Sequence, residues 1–204
     1  MITDLIVTRD ASLPPPPLVM PSDFTPHAIE RTSDDGFALL NQLYQSQGFP
    51  EKWAARMLEH GAVAVVIAAA QAAVASGFLS RQPFYVQEIR RTFDAGPRAD
   101  YYLGDYVVPA FRGRQLQRHL IRMRLDMTRK SGRQWAIAMT RATIPASLAN
   151  YEAEGFAVAA TLCKRSIWGW ELERRRTCKP TLPTGRLSEE GLALPGGLRL
   201  RRSI

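Results

Sequence analysis

Runs of apolar residues alternate with helical periodicities along the chain, in an order that predicts a sheet with helices on its faces. Two apolar runs joined by a tight turn near Gln71 predict a pair of strands at 62–69 and 72–79. Further strands are predicted at 28–32, 100–108, 133–140, 156–160 and 162–172. Helices are predicted at 34–47, 50–61, 113–130 and 145–154. This order favours a mixed α/β fold built on a central sheet.

The segment 106–117 is the most informative part of the chain, because a strand, a short turn and a helix start follow one another directly. The apolar run stops at Pro109, Arg112 and Gly113 form the turn, and the helix then carries arginines on one side, at 114, 118 and 122. Its other side carries Leu116, Leu120, Met123 and Met127. The N–H groups of such a turn and the helix dipole favour an anion. We therefore expect a bound polyphosphate, such as that of a nucleotide-containing cofactor.

Composition and charge limit the possible domain organisation and the possible partners. Of the 204 residues 46% are hydrophobic, which is enough for a core. The net charge of +8 implies affinity for a nucleotide cofactor, nucleic acid or an acidic surface, unless it reflects only an arginine-rich composition. We predict a Pro-rich N-terminal arm at 1–26, either disordered or a strap across the domain. The domain itself is predicted at 27–173, and a basic Pro/Gly-rich tail at 174–204.

Neither a metal nor a membrane is expected. Cys163 and Cys178 lie well apart without metal-ligand spacing, and the three histidines show none either. No disulfide framework is implied, so a reducing cytoplasm is the expected location. The Ala-rich stretch 62–78 is interrupted by polar residues and falls short of the roughly 20 strongly apolar residues that a membrane span needs.

Two segments resemble motifs of the GCN5-related N-acetyltransferase (GNAT) superfamily. The segment 106–117 is similar to the family's pyrophosphate-binding motif, with Arg112 at its first position and Gly113 retained. At 115 and 117, however, glutamines stand where the family has small residues. The segment 147–156 is similar to the later helix that bears a Tyr and ends in Gly-Phe, although Ile144 stands where an Asn is common. The resemblance covers roughly residues 27–172.

The resemblance implies a GNAT-like fold, a mixed and mainly antiparallel sheet with splayed middle strands and helices on both faces. It implies acetyl-CoA, or another acyl-CoA, as co-substrate, with its pantetheine arm in the gap between those strands. The backbone of Val107 and Val108 would lie along this arm, and the Val107 N–H would polarise the thioester carbonyl. The other cofactor-binding positions that it implies are Arg112, Gly113, Arg114, Gln115, Leu116, Gln117, Ser147 and Asn150. We expect the two glutamines to weaken phosphate binding rather than abolish it.

The expected chemistry centres on Tyr151 and Asp105. A tyrosine hydroxyl has an unperturbed pKa near 10 and is a proton donor at pH 7, so Tyr151 would protonate the departing thiolate. Asp105 could act as the base, bind a cationic substrate, or simply pair with an arginine. Glu88 and a water chain are further candidates for the base. The late tryptophans at 168 and 170 share one face, either in the core or lining an acceptor pocket.

We therefore expect an acyl-CoA-dependent N-acyltransferase. Attack would be direct within a ternary complex, because neither cysteine comes with a positioned histidine. The expected acceptor is a small-molecule amine, and an aminoacyl-tRNA or protein amine is an alternative that would make nucleic acid or protein the partner. A catalytically degenerate fold kept for binding or regulation is a further alternative. Pairing through the last strands is common in the family, so a homodimer is also considered.

Overall fold

The computed structural model describes residues 2–87, 89–167, 170–188, 192–194 and 198–202. The strands are β1 (Ile2–Asp10), β2 (Phe24–Ile29), β3 (Ala62–Ala69), β4 (Ala72–Ser80), β5 (Phe84–Val86), β6 (Arg91–Asp94), β7 (Ala99–Val107), β8 (Trp135–Arg141), β9 (Ala157–Ile167), β10 (Trp170–Thr177), β11 (Arg186–Leu187), β12 (Leu192–Leu194) and β13 (Leu198–Arg202). The helices are α1 (Phe37–Ser46), α2 (Trp53–Glu59), α3 (Leu116–Lys130) and α4 (Pro145–Ala153).

Ten of these strands form one sheet, in the order β12-β13-β10-β9-β1-β8-β7-β4-β3-β2. Within it β7 and β8 run parallel, and the other neighbouring pairs are antiparallel. A small second sheet has the order β11-β6-β5. This architecture confirms the predicted mixed α/β fold with a mainly antiparallel sheet.

Helices cover both faces of the sheet because its inner strands are apolar on both sides. On β3, Ala62, Ala64 and Val66 pack against α1 and α2. The alternate residues Val65 and Ile67 pack against α3. Burial of both faces explains why 62–69 is a continuous apolar run rather than an alternating one. No helix among the described residues combines the length and the apolar character that a membrane crossing requires.

The prediction that residues 1–26 lie outside the domain is wrong for β1, which lies within the sheet between β8 and β9. Ile6 and Val7 are fully buried, one on each face. The partners of β1 are more than a hundred residues away along the chain, so no local pattern revealed them. Residues 11–23, in contrast, contain neither helix nor strand. They cross the domain as a strap, held by Arg9 at the carbonyls of Leu13 and Pro14.

The predicted boundary of the C-terminal tail is also wrong, because β10 continues to Thr177 and further strands follow. Arg91 and Glu173 form a buried ion pair that joins β6 to β10, and β11 pairs with β6. The polar segment 81–98, for which the sequence pattern predicts no strand, contains β5 and β6 of the small sheet. Its polar composition did not reveal these strands, because they are short and their partner β11 comes late in the chain.

Candidate functional site

A bulge in β7 orients the central carboxylate of the site. The pairing of β4 with β7 shifts by one residue, so Gly104 and Asp105 together oppose Gly77. Gly104 has a φ of +67°, which glycine adopts without steric cost. The extra residue turns the Asp105 side chain toward α3, on the face of the sheet where Tyr102 also packs. If side chains alternated strictly along β7, residues 102 and 105 would lie on opposite faces. A Cβ on Gly77 would come within 2.6 Å of Asp105 Oδ1, so glycine leaves room for the carboxylate.

The central strands β7 and β8 diverge along their length. They pair in parallel through four residues, the last being Tyr102 opposite Ala138, although both strands continue further. One edge of the second half of β7 therefore borders a gap. Val108 donates its N–H to the Val74 carbonyl of β4 at 2.9 Å. Because N–H groups alternate in direction along an extended strand, the Val107 N–H points the other way, toward this gap.

Asp105 joins three elements around this gap. Arg124 of α3 lies with Nη2 2.6 Å from Asp105 Oδ1, and the Tyr151 hydroxyl of α4 donates to Oδ2 at 2.9 Å. Arg124 is fully buried and also donates to the Phe78 carbonyl at 3.0 Å. Burial, reinforced by Asp105, raises the pKa of Tyr151 well above its usual value. The tyrosine is therefore a protonated donor, and Asp105 is engaged in an ion pair.

Gln117, in the first turn of α3, links this cluster to α4. Its side-chain nitrogen donates to Asp105 Oδ2 and to Ser147 Oγ, both at 3.1 Å. Its side-chain oxygen accepts from Asn150 Nδ2 at 2.8 Å. Residues from β7, α3 and α4 that were predicted separately as site residues thus form one hydrogen-bonded network, which we call the Gln117 network.

The turn before α3 offers backbone N–H groups to an anion. Gly113 and Gln115 both have left-handed backbone conformations, with φ of +80° and +59°. Among the described residues, no backbone carbonyl accepts from the N–H groups of Gly113, Arg114 or Gln115. Arg112 Nε donates to the Val107 carbonyl at 3.3 Å and ties the turn to β7. Exposed N–H groups before a helix of 15 residues are the kind of donor set that could hold an anion.

Two of the arginines on α3 are already paired with a carboxylate. Arg118 and Arg122 pair with the fully buried carboxylate of Glu154, at 2.7 and 2.8 Å. This corrects the expectation that the whole arginine side of the helix would face a polyphosphate. Arg114 stays beside the turn with about half of its side chain exposed (51%), and its Nη1 lies 3.7 Å from Oδ2 of the exposed Asp23.

Two cavities flank the Gln117 network. The larger, of about 1000 Å³, follows the gap between β7 and β8. Its lining includes Asp105, Tyr106, Ser147 and Tyr151. The smaller, of about 360 Å³, lies between the turn and the strap and is lined in part by Gly113, Arg114 and Gln115. Across the described part of the chain, no group of three His, Cys, Asp or Glu side chains forms a possible metal site.

Solved structures share the fold of this chain. A GCN5-related N-acetyltransferase from Sphaerobacter thermophilus aligns over 88% of this chain and 52% of its own, with a TM-score of 0.58 and 12% identity. A GNAT-family acetyltransferase from Colwellia psychrerythraea aligns over 78% and 53%, with a TM-score of 0.54 and 15% identity. An aminoglycoside N-acetyltransferase in complex with CoA aligns over 74% and 97%, with a TM-score of 0.53 and 18% identity. The chain has the GNAT fold.

Sequence comparison adds nothing to this likeness. No family model matches the chain, and no curated protein matches it significantly. The chain spans about half the length of the Sphaerobacter and Colwellia structures. At these identities the likeness concerns the fold, and the chemistry has to be argued from the residues of this chain.

Within the GNAT fold the predicted site residues divide into two groups. Those around the Gln117 network are Asp105, Gln117, Ser147, Asn150 and Tyr151. Those around the turn are Val107, Arg112, Gly113, Arg114 and Gln115. The Leu116 side chain is buried in the core, so only its backbone could face an anion. The Val108 N–H and carbonyl are already bonded to Val74 and Phe111, which leaves Val107 as the residue whose N–H faces the gap.

Sequence reasoning missed Arg124, whose guanidinium holds Asp105. A usable signal existed, because Arg124 follows Leu120 by four residues and Ile121 by three, on the buried face of a predicted amphipathic helix. An arginine at such a position requires a buried partner. Two other candidates, Glu88 and Trp168, lie outside the described residues, and of Trp170 only the backbone is described.

Proposed function

We propose that the protein is an acyl-CoA-dependent N-acyltransferase that transfers an acetyl group from acetyl-CoA to the primary amine of a small molecule. The observation that carries this proposal is the direction of the Val107 N–H, toward the gap between β7 and β8. The turn with unbonded N–H groups follows this residue in the chain, and the residues of β7 that precede it line the larger cavity. Diphosphate, thioester and amine would thus be bound in succession along the end of β7.

In this proposal the turn holds the diphosphate of acetyl-CoA. Its ligands would be the N–H groups of residues 113–117, with Arg112 and Arg114 adding positive charge. The glutamines that replace the family's small residues do not block this, because their side chains are engaged elsewhere. Gln115 accepts from Arg118 Nη1 at 3.0 Å, and Gln117 bonds to its network.

The reaction needs one oxyanion donor and two proton transfers. The amine nitrogen attacks the thioester carbon, a C–N bond forms and the C–S bond breaks. The Val107 N–H would stabilise the negative charge that develops on the carbonyl oxygen. The amine gives up one proton and the departing thiolate gains one, for which the Tyr151 hydroxyl, at the edge of the gap, is the proposed donor.

We propose Asp105 as a positioning residue for Tyr151, rather than as the base. Its carboxylate is shared by Arg124, Gln117 and Tyr151, so an incoming amine would have to compete with all of them. The buried guanidinium would also compensate the negative charge that forms when Tyr151 gives up its proton. Water in the larger cavity then accepts the amine proton.

A GNAT fold kept for binding without catalysis is the second candidate. One observation favours it: the Gln117 network bridges β7 and α4 between the turn and the larger cavity. An acyl-CoA bound at the turn could reach this cavity only after these hydrogen bonds had broken. The two candidates differ in turnover and not in fold.

Titration calorimetry with acetyl-CoA, followed by a thiol-release assay with a panel of amines, tests both candidates. Saturable binding and amine-dependent thiol release are expected. No binding at millimolar acetyl-CoA would overturn the proposed activity, and binding without release by any amine would support the second candidate. Transfer to aminoacyl-tRNA or a protein amine, with no small amine accepted, would overturn the proposed acceptor class.

A further inference from the structure

The larger cavity has a wall of aromatic rings. The rings of Tyr44, Phe49 and Trp53 pack against one another, with the Trp53 centroid 4.5 Å from Tyr44 and 4.7 Å from Phe49. Phe49, from the loop between α1 and α2, is 38% exposed, and Tyr85 of β5 is 54% exposed. Both line the cavity. Large rings that remain accessible in a concave site favour an aromatic or other large apolar group, through ring stacking and burial of apolar surface.

The described carboxylates of this cavity are already neutralised. Asp105 is paired with Arg124. Asp4 lies with Oδ2 3.1 Å from Lys164 Nζ, and both of these residues are buried. A polycationic acceptor would lose its hydration without gaining an unpaired carboxylate from these two residues. The charge of the cavity therefore disfavours acceptors that carry several ammonium groups.

Arg141 supplies positive charge at the same cavity. It is the last residue of β8, it is exposed, and it lines the cavity together with Arg90. Arg141 takes part in none of the ion pairs found within the described ranges. A guanidinium binds a carboxylate through two parallel N–H donors, which fixes orientation as well as charge.

We propose that the acceptor is an amino acid with an aromatic or large apolar side chain, whose free carboxylate is bound by Arg141. This inference rests on the proposed N-acyltransferase activity and names its substrate class. The α-amine attacks the thioester carbon, the C–N bond forms as the C–S bond breaks, and the products are an N-acetylamino acid and CoA thiol. One proton leaves the amine and one is taken up by the sulfur, so no further reactant is required.

The test is a set of thiol-release measurements on the full chain with acetyl-CoA and matched amines. L-phenylalanine and L-tryptophan are compared with phenethylamine and tryptamine, which lack the carboxylate, and with the polycation neamine. We expect kcat/KM to be at least about 10-fold higher for the amino acids than for the corresponding amines. Higher kcat/KM for neamine, or equal values for amino acid and amine, would overturn the inference.

Substitution of Arg141 separates its role from general charge. Arg141→Ala should raise KM for L-phenylalanine by about 10-fold and leave KM for phenethylamine unchanged. Arg165→Ala, which removes an exposed arginine of β9, is the matched control and should change neither value. An equal rise for both amines in Arg141→Ala would contradict carboxylate binding. Acetyl-CoA affinity is measured in parallel: if it is absent, the proposed activity itself fails, whereas normal affinity with neamine turnover overturns only the acceptor class.

Discussion

Arg124 and Asp105 form a salt bridge inside the protein, with Arg124 Nη2 2.6 Å from Asp105 Oδ1 and no part of the arginine exposed. The guanidinium also lies 4.8 Å from the ring centroid of Tyr102. A pair removed from water in this way gives stability only while both partners are present, because each charge alone is costly to bury. The bulge at Gly104 makes this pairing possible, since it turns Asp105 toward α3.

Arg124→Met should lower the free energy of unfolding by about 3–5 kcal/mol, because it leaves Asp105, whose Oδ1 is buried, without its cation. Urea denaturation at pH 7.5 measures this. Arg129→Met is the matched control: Arg129 pairs with Asp126 on the same helix, but both side chains are 49% exposed, so the loss should stay below about 1 kcal/mol. Equal losses of unfolding free energy in the two variants would mean that the buried ion pair stabilises the protein no more than the exposed one.

Gln115→Gly should stabilise the protein by about 0.5–1 kcal/mol, because a left-handed conformation costs a residue with a Cβ more than it costs glycine. The variant keeps the N–H groups of the turn, so we expect no loss of acetyl-CoA affinity. Gln115→Ala keeps the strain and serves as the control. If alanine and glycine gave the same midpoint in urea, the φ of +59° would carry no measurable cost.

Gln117→Ala should tighten acetyl-CoA binding about 3- to 10-fold, because entry of the acyl arm would no longer break the hydrogen bonds of the Gln117 network, at about 0.5–1.5 kcal/mol each. Titration calorimetry gives the affinity, and Gln42→Ala on the exposed side of α1 is the control. Weaker binding in Gln117→Ala would instead make this side chain a ligand of the cofactor.

Tyr151→Phe should lower kcat about 10²-fold or more, because it removes the proposed proton donor, while acetyl-CoA affinity stays within about 2-fold. Since burial raises the pKa of Tyr151 well above its usual value, kcat of the parent enzyme should show no loss from tyrosine ionisation up to at least pH 9. Unchanged turnover in the phenylalanine variant would remove Tyr151 from the mechanism.

His119 should make stability depend on pH. Burial, followed by the nearby Arg122 charge, lowers the pKa of this histidine below 6.5. The unfolded chain then binds a proton more readily than the folded protein, so stability is highest above pH 6.5 and is lost as pH falls toward the folded pKa. Urea denaturation between pH 7.5 and 5 should show a smaller loss of unfolding free energy for His119→Asn than for the parent protein. If stability fell equally with pH in both proteins, this histidine would be excluded as the cause.

The elements that sequence alone predicts well are those whose determinants are local. The pair β3 and β4 is found within one residue of its predicted bounds, because two apolar runs and the turn near Gln71 are contiguous. The helix α3 follows from a 3.6-residue period over 15 residues. Its start lies three residues later than predicted, since Gly113 and Gln115 adopt left-handed conformations that no helix accommodates.

The features that sequence alone misses depend on distant partners. Arg118 and Arg122 were expected to face an anion, and their actual partner Glu154 lies more than thirty residues further along the chain. The face to which Asp105 points depends on a bulge, and a single glycine in a strand does not predict one. For the same reason, the sequence suggested Asp105 and Tyr151 separately but could not reveal that they share a hydrogen bond.

The place of β1 in the sheet constrains how the protein can be assembled during synthesis. This strand leaves the ribosome before its neighbours β8 and β9, which lie more than a hundred residues further along the chain. Contacts across so long a separation form slowly, because a large loop must close first. Until then, the apolar segment 5–7 has both edges unpaired, and a chaperone that shields it would protect the nascent chain from edge-to-edge association.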